Sequence, residues 1–254
     1  MATSLDDVLT PAVTAHVVAI GDGPLVRGIA VLGSMARGDA TAWSDVDIES
    51  TVAEATAKWD VRASFIGHRL VMSHSITSAE QWKQLELPDK AIWAAPSYAT
   101  MRILMDRDGD LDRLQARGRA FDYAALAPAA TLYLRQSAIA ACEYIFKIRD
   151  GVEKCDEAKS LHAAVSLTGR CERMTSVAFL TPIPTENAYY RIIQTAAGPA
   201  WTAHHRAAFG LDGGDAVRQA TAASALFRET MRLVDDRLDA GARTIVGRTL
   251  EIAP

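Results

Sequence analysis

The first 110 residues alternate short apolar runs with turns that contain glycine and charged residues. Runs of this length, rich in β-branched residues and bounded by such turns, are typical of β-strands. They predict five strands, at Val26–Leu32, Asp45–Val52, Val61–Ile66, His68–Ile76 and Arg102–Asp106. The turn at Gly67 is short enough to join the third and fourth strands as a hairpin.

Helices are predicted around these strands. The first is expected from Ser4 to Ala19, because a serine followed three residues later by an acid is a favourable helix start. The others are a short helical turn at Ser34–Asp39 and helices at Ser78–Leu85, Asp89–Ala94 and Leu111–Phe121.

From Ala125 onward the pattern changes. Alanine becomes frequent, and apolar residues recur at helical spacing over four long segments, which are 129–149, 156–179, 186–197 and 214–240. The tail after Asp239 receives no assignment. We therefore predict an α+β fold, with an N-terminal mixed β-sheet domain over residues 1–124 and a C-terminal α-helical bundle domain over residues 125–254.

The core of the helical half is predicted from its apolar stripes. Leu132, Ile139 and Phe146 recur every seven residues, and Leu161, Val165 and Thr168 keep the spacing of one helix face. Residues spaced in this way lie on one side of a helix, so they are expected to face the core.

Composition indicates an ordinary folded protein, since 49% of the 254 residues are hydrophobic, 23% are charged and the net charge is −4. Without a concentrated basic surface, a nucleic-acid partner is not expected. The sequence has neither a bilayer-length apolar run nor a secretory signal, so no membrane association is expected. The three scattered cysteines suit buried helical thiols better than disulfides or zinc ligands, and a cytoplasmic location is expected.

The most informative stretch runs from Gly33-Ser34, at the end of one apolar run, to Asp45 and Asp47, at the start of the next. Alternation along a strand places the two carboxylates on one face. Mg²⁺ is usually held by one or two carboxylates together with phosphate oxygens of a substrate. This arrangement therefore predicts a magnesium and phosphate site.

A phosphate-binding P-loop is excluded, although the spacing between Gly33 and Gly38 matches one. That motif requires lysine and then serine or threonine after the second glycine, and this chain has Asp39 and Ala40. What remains is a glycine that lets backbone amides approach a phosphate, with a serine hydroxyl at the start of a helical turn.

Together these residues resemble the signature of the polymerase-β-like nucleotidyltransferase superfamily, which is an apolar residue, Gly-Ser, about ten residues and Asp-x-Asp. The chain reads LGS and then SDVDI. Its layout is similar to that of the antibiotic nucleotidyltransferases that act on aminoglycosides and lincosamides. In those enzymes a short strand ending in Asp-x-x-Gly precedes a helical domain, and Arg102–Gly109 fits that strand.

The resemblance implies an enzyme that transfers a nucleoside monophosphate to a small-molecule hydroxyl and releases pyrophosphate. Mg²⁺ would be the cofactor and ATP, or another nucleoside triphosphate, the co-substrate. Asp45 and Asp47 would be the catalytic metal ligands. Gly33 and Ser34 would bind the β- and γ-phosphates, with help from Arg37, for which exposure to solvent is the alternative.

Two further candidates lie in the helical half. Some antibiotic enzymes draw their general base from this domain, and Glu143 is the acid expected there; the alternative is a surface ion pair with Lys147, one turn later. Lys159 is expected in the first turn of its helix, where a cation opposes the helix dipole. A nearby triphosphate would explain a lysine at this position, and so would the neighbouring acids Asp156 and Glu157.

One feature departs from the family pattern. Many members carry a third carboxylate on the strand that corresponds to His68–Ile76, and this strand has no acid. Ser73 or His74 lies near the position expected for this acid. For His74 the alternative is a histidine that lies on the surface or has its hydrogen bonds satisfied within the protein. Glu49, on the face of Asp45 and Asp47 by alternation, is a further candidate.

Three functions remain open after this comparison. The first is a nucleotidyltransferase with a small-molecule acceptor, the second a protein-modifying nucleotidyltransferase of a toxin–antitoxin pair. The third is a nucleotide-binding pseudoenzyme that lacks the third carboxylate. The fused helical half favours the first over the second. A homodimer is left open.

Overall fold

The computed structural model describes residues 11–21, 23, 25–54 and 62–254. It forms two compact units. The first contains the described residues up to Asp122 together with Pro182–Thr185, and the second contains Tyr123–Thr181 and Glu186–Pro254. A five-stranded mixed sheet precedes a long helical region, which confirms the predicted α+β class. Predictions for residues 4–10 and for Val61 lie outside the described residues.

The first unit carries five strands and five helices in its described part. In chain order they are α1 (Pro11–Gly21), β1 (Val26–Val31), α2 (Gly33–Arg37), β2 (Val46–Val52), β3 (Arg62–Ile66), β4 (Arg69–Thr77), α3 (Ser78–Gln84), α4 (Pro88–Thr100), β5 (Arg102–Asp106) and α5 (Asp110–Arg119).

The sheet has the order β3-β4-β2-β1-β5. Strands β2 and β4 are parallel, and the other neighbouring pairs are antiparallel. The predicted hairpin of β3 and β4 is confirmed. In the β1–β2 pair Val31 lies opposite Ile48, so the end of β1 meets the start of β2.

Residues of β2 alternate between the two faces of the sheet. Val46 and Ile48 belong to a buried cluster with Ile29, Val31 and Val71, against which side chains of α1 pack. The intervening residues Asp47 and Glu49 therefore face the opposite side. Burial of the apolar set fixes this orientation, because a slip of one residue would turn the carboxylates into the core.

Helix α4 runs past the predicted end at Ala94 to Thr100, although it contains Pro96. Proline has no N–H, so it cannot bond to the carbonyl of Ile92 four residues earlier. That carbonyl instead accepts a hydrogen bond of 2.7 Å from the N–H of Ile183. The buried Ile183 therefore ties the segment Pro182–Thr185 to the first unit at the carbonyl that Pro96 leaves unpaired.

The second unit is helical throughout its regular structure. Its α-helices are α6 (Ala127–Glu153), α7 (Glu157–Phe179), α8 (Glu186–Ala197), α9 (Pro199–Ala208), α10 (Ala216–Val234) and α11 (Ala240–Ile252), and single 3₁₀ turns cover Tyr123–Leu126 and Asp235–Arg237. Helices α9 and α11 were not predicted. Each is short, and α11 starts at the N-cap Asp239, where the prediction ended.

The apolar stripes predicted for the core of this unit are wrong. Leu132, Ile139 and Phe146 are 48%, 39% and 57% exposed, and Leu161 and Val165 are exposed as well, whereas Thr168 is buried. The buried faces of α6 and α7 combine alanines with a few larger apolar residues at helical spacing, and these include Ala130, Leu134, Ala138, Ala141, Ile145, Ala163, Ala164, Leu167 and Cys171. The core therefore lies on a different side of each helix from the predicted stripe, and alanine supplies much of it.

Two of the three cysteines, Cys142 and Cys171, are buried as expected. Cys155 is exposed, in the turn between α6 and α7, and adopts a positive φ of 55°. Among the described residues no helix combines the length and the apolar character that crossing a membrane would need.

Candidate functional site

The pairing of β1 with β2 brings the Gly-Ser turn and the second aspartate together. Directly after β1, the N–H of Leu32 donates a hydrogen bond of 2.9 Å to the carbonyl oxygen of Asp47. Helix α2 then begins at Gly33. Residues that are fourteen positions apart in the sequence therefore become neighbours in the fold.

Gly33 faces the Asp47 carboxylate directly. A Cβ atom placed on Gly33 would lie 2.7 Å from Oδ2 of Asp47, closer than real Cβ contacts. The backbone of Gly33 has a φ of +65°, which also favours glycine. Two independent constraints thus require glycine here, and the second aspartate lies against the backbone of the turn.

Helix α2 is a single short turn that starts at Gly33. The Ser34 carbonyl accepts hydrogen bonds from the N–H groups of Gly38 and Asp39, at 3.0 and 3.1 Å. Gly38, with a φ of +80°, ends the helix, and the buried Met35 anchors it to the core. The half-buried Ser34 thus lies beside the turn that approaches Asp47, and its contact with phosphates stays a prediction.

Arg37, predicted either to assist with phosphates or to lie in solvent, has protein partners. Its guanidinium forms an ion pair with Asp39 at 3.2 Å. Its Nη1 also donates to the carbonyl of Pro184 at 2.9 Å. Arg37 therefore connects α2 with the segment Pro182–Thr185, which the sequence pattern did not indicate.

Asp45 lies one residue before β2, although the strand was predicted to include it. It is exposed and follows a loop that Arg69 of β4 holds in place. Nη1 of Arg69 donates to the carbonyls of Thr41 and Ser44, at 3.2 and 3.1 Å. Within the loop, the Thr41 N–H donates to Oγ of Ser44 at 2.9 Å. The position of Asp45 is thus set by β2 on one side and by this loop on the other.

Glu49, the next acid on the face of Asp47, is buried and bonded through both oxygens. Nε2 of Gln81, on α3, donates to Oε1 at 2.6 Å, and Nε2 of His74, on β4, donates to Oε2 at 3.0 Å. The hydrogen bond to Glu49 raises the pKa of His74, against the opposing effect of burial. The charges of Glu49 and Asp47 raise this pKa further. Burial, with a contribution from the Glu49 charge, also raises the pKa of Tyr98.

Ser73, the other residue considered near the place of the third acid, faces away from this group. In the parallel register Ser73 pairs with Ile48, whereas His74 pairs with Glu49. Oγ of Ser73 lies 3.2 Å from Nε2 of His16 on α1. His74 is therefore the β4 residue that joins the carboxylate-bearing face.

The residues present fit a cation that is bound together with a phosphate chain. Within the described residues, no group of three or more His, Cys, Asp or Glu side chains is arranged to hold a metal ion. Asp45 and Asp47 supply hard oxygen donors, and Asp47 lies beside the Gly-Ser turn. Mg²⁺ commonly takes its remaining ligands from water and substrate phosphates, so two carboxylates suffice for it.

In the second unit Glu143 lies on the exposed face of α6. One of its oxygens is 2.6 Å from Nζ of Lys147, the surface ion pair that was the alternative to a general base. The hydrogen bond and charge of Lys147 lower the pKa of Glu143. Its role as a base stays a prediction.

Lys159 lies in the first turn of α7, as expected, and forms an ion pair with Asp150 of α6. Asp150 also pairs with Lys154 at 2.6 Å, and these two lysines lower its pKa. Asp156 caps α7 by accepting the Lys159 N–H at 3.0 Å. A contact of Lys159 with nucleotide phosphates stays a prediction, because Asp150 already accounts for its position.

Three contact residues were missed by the sequence analysis, namely Arg69, Gln81 and the carbonyl of Pro184. All act through contacts between segments far apart in sequence.

No protein-family model matches the sequence, and no curated protein matches it either. Among solved structures, the chain is similar to a nucleotidyltransferase-like protein from Exiguobacterium sibiricum. The TM-score is 0.52 at 15% identity, over 95% of this chain and 77% of that one. The chain has a nucleotidyltransferase-like fold. At this identity the likeness concerns the fold alone.

Replacement of Gly33 by alanine is expected to destabilise the protein more than the same change at Gly38. Both glycines have positive φ, and a side chain there costs about 1–3 kcal/mol. Only at Gly33 would the new Cβ also meet Asp47, whereas no described atom lies within 4 Å of a Cβ at Gly38. We expect G33A to lose at least about 1 kcal/mol more than G38A in urea unfolding. Equal losses would contradict the Gly33–Asp47 contact.

The stability contributed by His74 is expected to depend on pH. Its pKa in the folded protein is raised above the ordinary value of 6.5. The contribution is therefore complete below that value and is lost as the pH rises through the folded pKa. The difference in unfolding free energy between the wild type and H74Q should be larger at pH 6 than at pH 9.5. H68Q, in the exposed β3–β4 turn, is the control, and a pH-independent difference for H74Q would refute the assignment.

Proposed function

We propose that the protein is a Mg²⁺-dependent nucleotidyltransferase that transfers a nucleoside monophosphate, AMP from ATP, to a hydroxyl of a small molecule. The observation that carries the proposal is the contact between Gly33 and the Asp47 carboxylate. It joins the Gly-Ser turn to the Asp-x-Asp strand at one place. The nucleotidyltransferase-like fold supports the same reading.

Each residue of this candidate site has a proposed role. Asp45 and Asp47 would hold Mg²⁺, which supplies charge stabilisation and orientation of the triphosphate. Ser34 and the amides beside Gly33 would bind the β- and γ-phosphates. Arg37 would contribute positive charge from the end of α2, while it keeps its bond to Pro184.

In the proposed reaction the acceptor oxygen forms a bond to the α-phosphorus. The bond from that phosphorus to the bridging oxygen breaks, pyrophosphate leaves, and the hydroxyl proton passes to a base. In the helical half, Glu143 is the proposed base and Lys159 is the proposed contact to the phosphates. With its pKa lowered by Lys147, Glu143 is a weaker proton acceptor than an isolated carboxylate.

The proposed acceptor is an aminoglycoside or lincosamide antibiotic. This part of the proposal rests on the resemblance of the chain layout, and a net charge of −4 is compatible with a cationic acceptor without arguing for one. The acids at the end of α6 and the start of α7 add no support, because Asp150 is paired with lysines, Glu153 with Arg149, and Asp156 caps α7.

The test is ATP turnover with a panel of aminoglycosides and lincosamides, followed by pyrophosphate release and by the mass gain of one nucleotide. D47N should lower the rate at least about 100-fold, since it removes a charged ligand from the transition state. D112N is the matched control, because Asp112 is an exposed acid of the same unit on α5.

Full activity of D47N would refute the mechanism. Tight binding of Mg²⁺ and ATP without transfer to any acceptor would identify a nucleotide-binding pseudoenzyme instead. Turnover only with a protein acceptor would identify the toxin–antitoxin type of enzyme.

A further inference from the structure

The face of the sheet that carries Asp47 also contains a buried carboxylate, Glu49, which is 4% exposed. A buried carboxylate is unfavourable unless it is hydrogen-bonded and compensated. Glu49 meets both conditions, since Gln81 and His74 each donate to one of its oxygens. The chain therefore maintains a costly group two residues from the proposed metal ligand Asp47.

The contacts of Glu49 connect three elements of the first unit. Oγ1 of Thr51, on β2, donates to Oε1 of Gln81 at 3.3 Å, and the other end of the Gln81 amide donates to Glu49. His74 completes the network from β4. We call Thr51, Gln81, Glu49 and His74 the network. It holds β2 against α3 and β4 at Glu49, which is the next residue after Asp47 on the same face of the strand.

The network lies in the field of Asp47 as well. In the parallel register Asp47 pairs with Met72 and Glu49 pairs with His74. His74 therefore lies beside the residue that follows Asp47 on the same face of β2. The hydrogen bond to Glu49 raises the pKa of His74 against the effect of burial, and the charges of Glu49 and Asp47 raise it further. The contact of Nε2 with Oε2 of Glu49 gives His74 a holding role.

We do not assign Glu49 as the missing third ligand. Each of its oxygens accepts a hydrogen bond from the protein, and among the described residues no group of three acids, histidines or cysteines is arranged around a metal position. A group that cannot reach the ion can still act on it by orienting a ligand. Removing such partners typically lowers metal affinity 10- to 100-fold.

We propose that Glu49, held by His74 and Gln81, is a positioning residue that keeps Asp47 oriented for its divalent cation, in place of the acid missing from β4. The inference deepens the proposed function and rests on it, because it assumes that Asp47 binds Mg²⁺. It assigns His74 and Gln81 to the same site through Glu49.

The test measures binding, not turnover. The dissociation constant of α,β-methylene-ATP is determined by calorimetry with Mg²⁺ and with EDTA, and the ratio of the two constants is the metal-dependent increment. We expect H74A to reduce this increment 10- to 100-fold. H74Q, whose amide can replace the Nε2–H donor, should retain it within about threefold of the wild type. The matched control, H68A, should leave it unchanged.

The melting temperature separates positioning from simple support of the fold. If H74A lowers the melting temperature but keeps the full increment, the role is structural and the inference is overturned. Should H74A fail to fold, Q81A decides by the same ratio, because Gln81 bonds the other oxygen of Glu49. A reduced increment in Q81A supports the inference, and an unchanged one overturns it.

The metal-dependent increment of the wild type separates failure of this inference from failure of the proposed function. A clear increment in the wild type that H74A and Q81A leave unchanged refutes the positioning role alone. A wild type without any increment refutes the metal-dependent function, and the positioning role with it.

Discussion

The contact of the Asp47 carboxylate with the backbone of Gly33 is the constraint on which the rest of the first unit depends. It requires glycine at position 33, a left-handed backbone there, and antiparallel pairing of β1 with β2. Val46 and Ile48 hold the strand from the other face through the buried cluster. Displacing any of these would separate the second aspartate from the Gly-Ser turn, and the two motifs would lose their common site.

Around this contact, several polar groups form hydrogen bonds with residues elsewhere in the unit. Pro96 leaves a carbonyl of α4 without its helical partner, and Ile183 bonds to it. Arg37 extends from α2 to Pro184 in the same segment. The buried Glu49 is compensated by His74 and Gln81. The pairings of Arg37 and Glu49 join distant segments directly to α2 and β2, which carry Gly33 and Asp47. The pairing of Ile183 holds the segment that Arg37 contacts.

Strands and motifs could be predicted because their signals are local. The five apolar runs, the β3–β4 hairpin and the Gly-Ser and Asp-x-Asp motifs are each readable within a few residues. The helical core was misjudged because Leu132 and Phe146, conspicuous in the sequence, are exposed, whereas the buried face of α6 carries alanines together with Leu134 and Ile145. Arg69, Gln81 and Pro184 could not be predicted, since their contacts span 25 to 147 residues. Lys159 was read correctly as a first-turn cation, but its partner Asp150 lies on another helix.

We propose that Asp45, Asp47 and the Gly33-Ser34 turn together bind the metal and the nucleotide. A crystal structure with Mg²⁺ and α,β-methylene-ATP is the decisive test. We expect a cation about 2.0–2.1 Å from oxygens of Asp45, Asp47 and the phosphates, with the phosphate chain beside Gly33 and Ser34. A nucleotide bound elsewhere, or a cation that neither aspartate contacts, would contradict it.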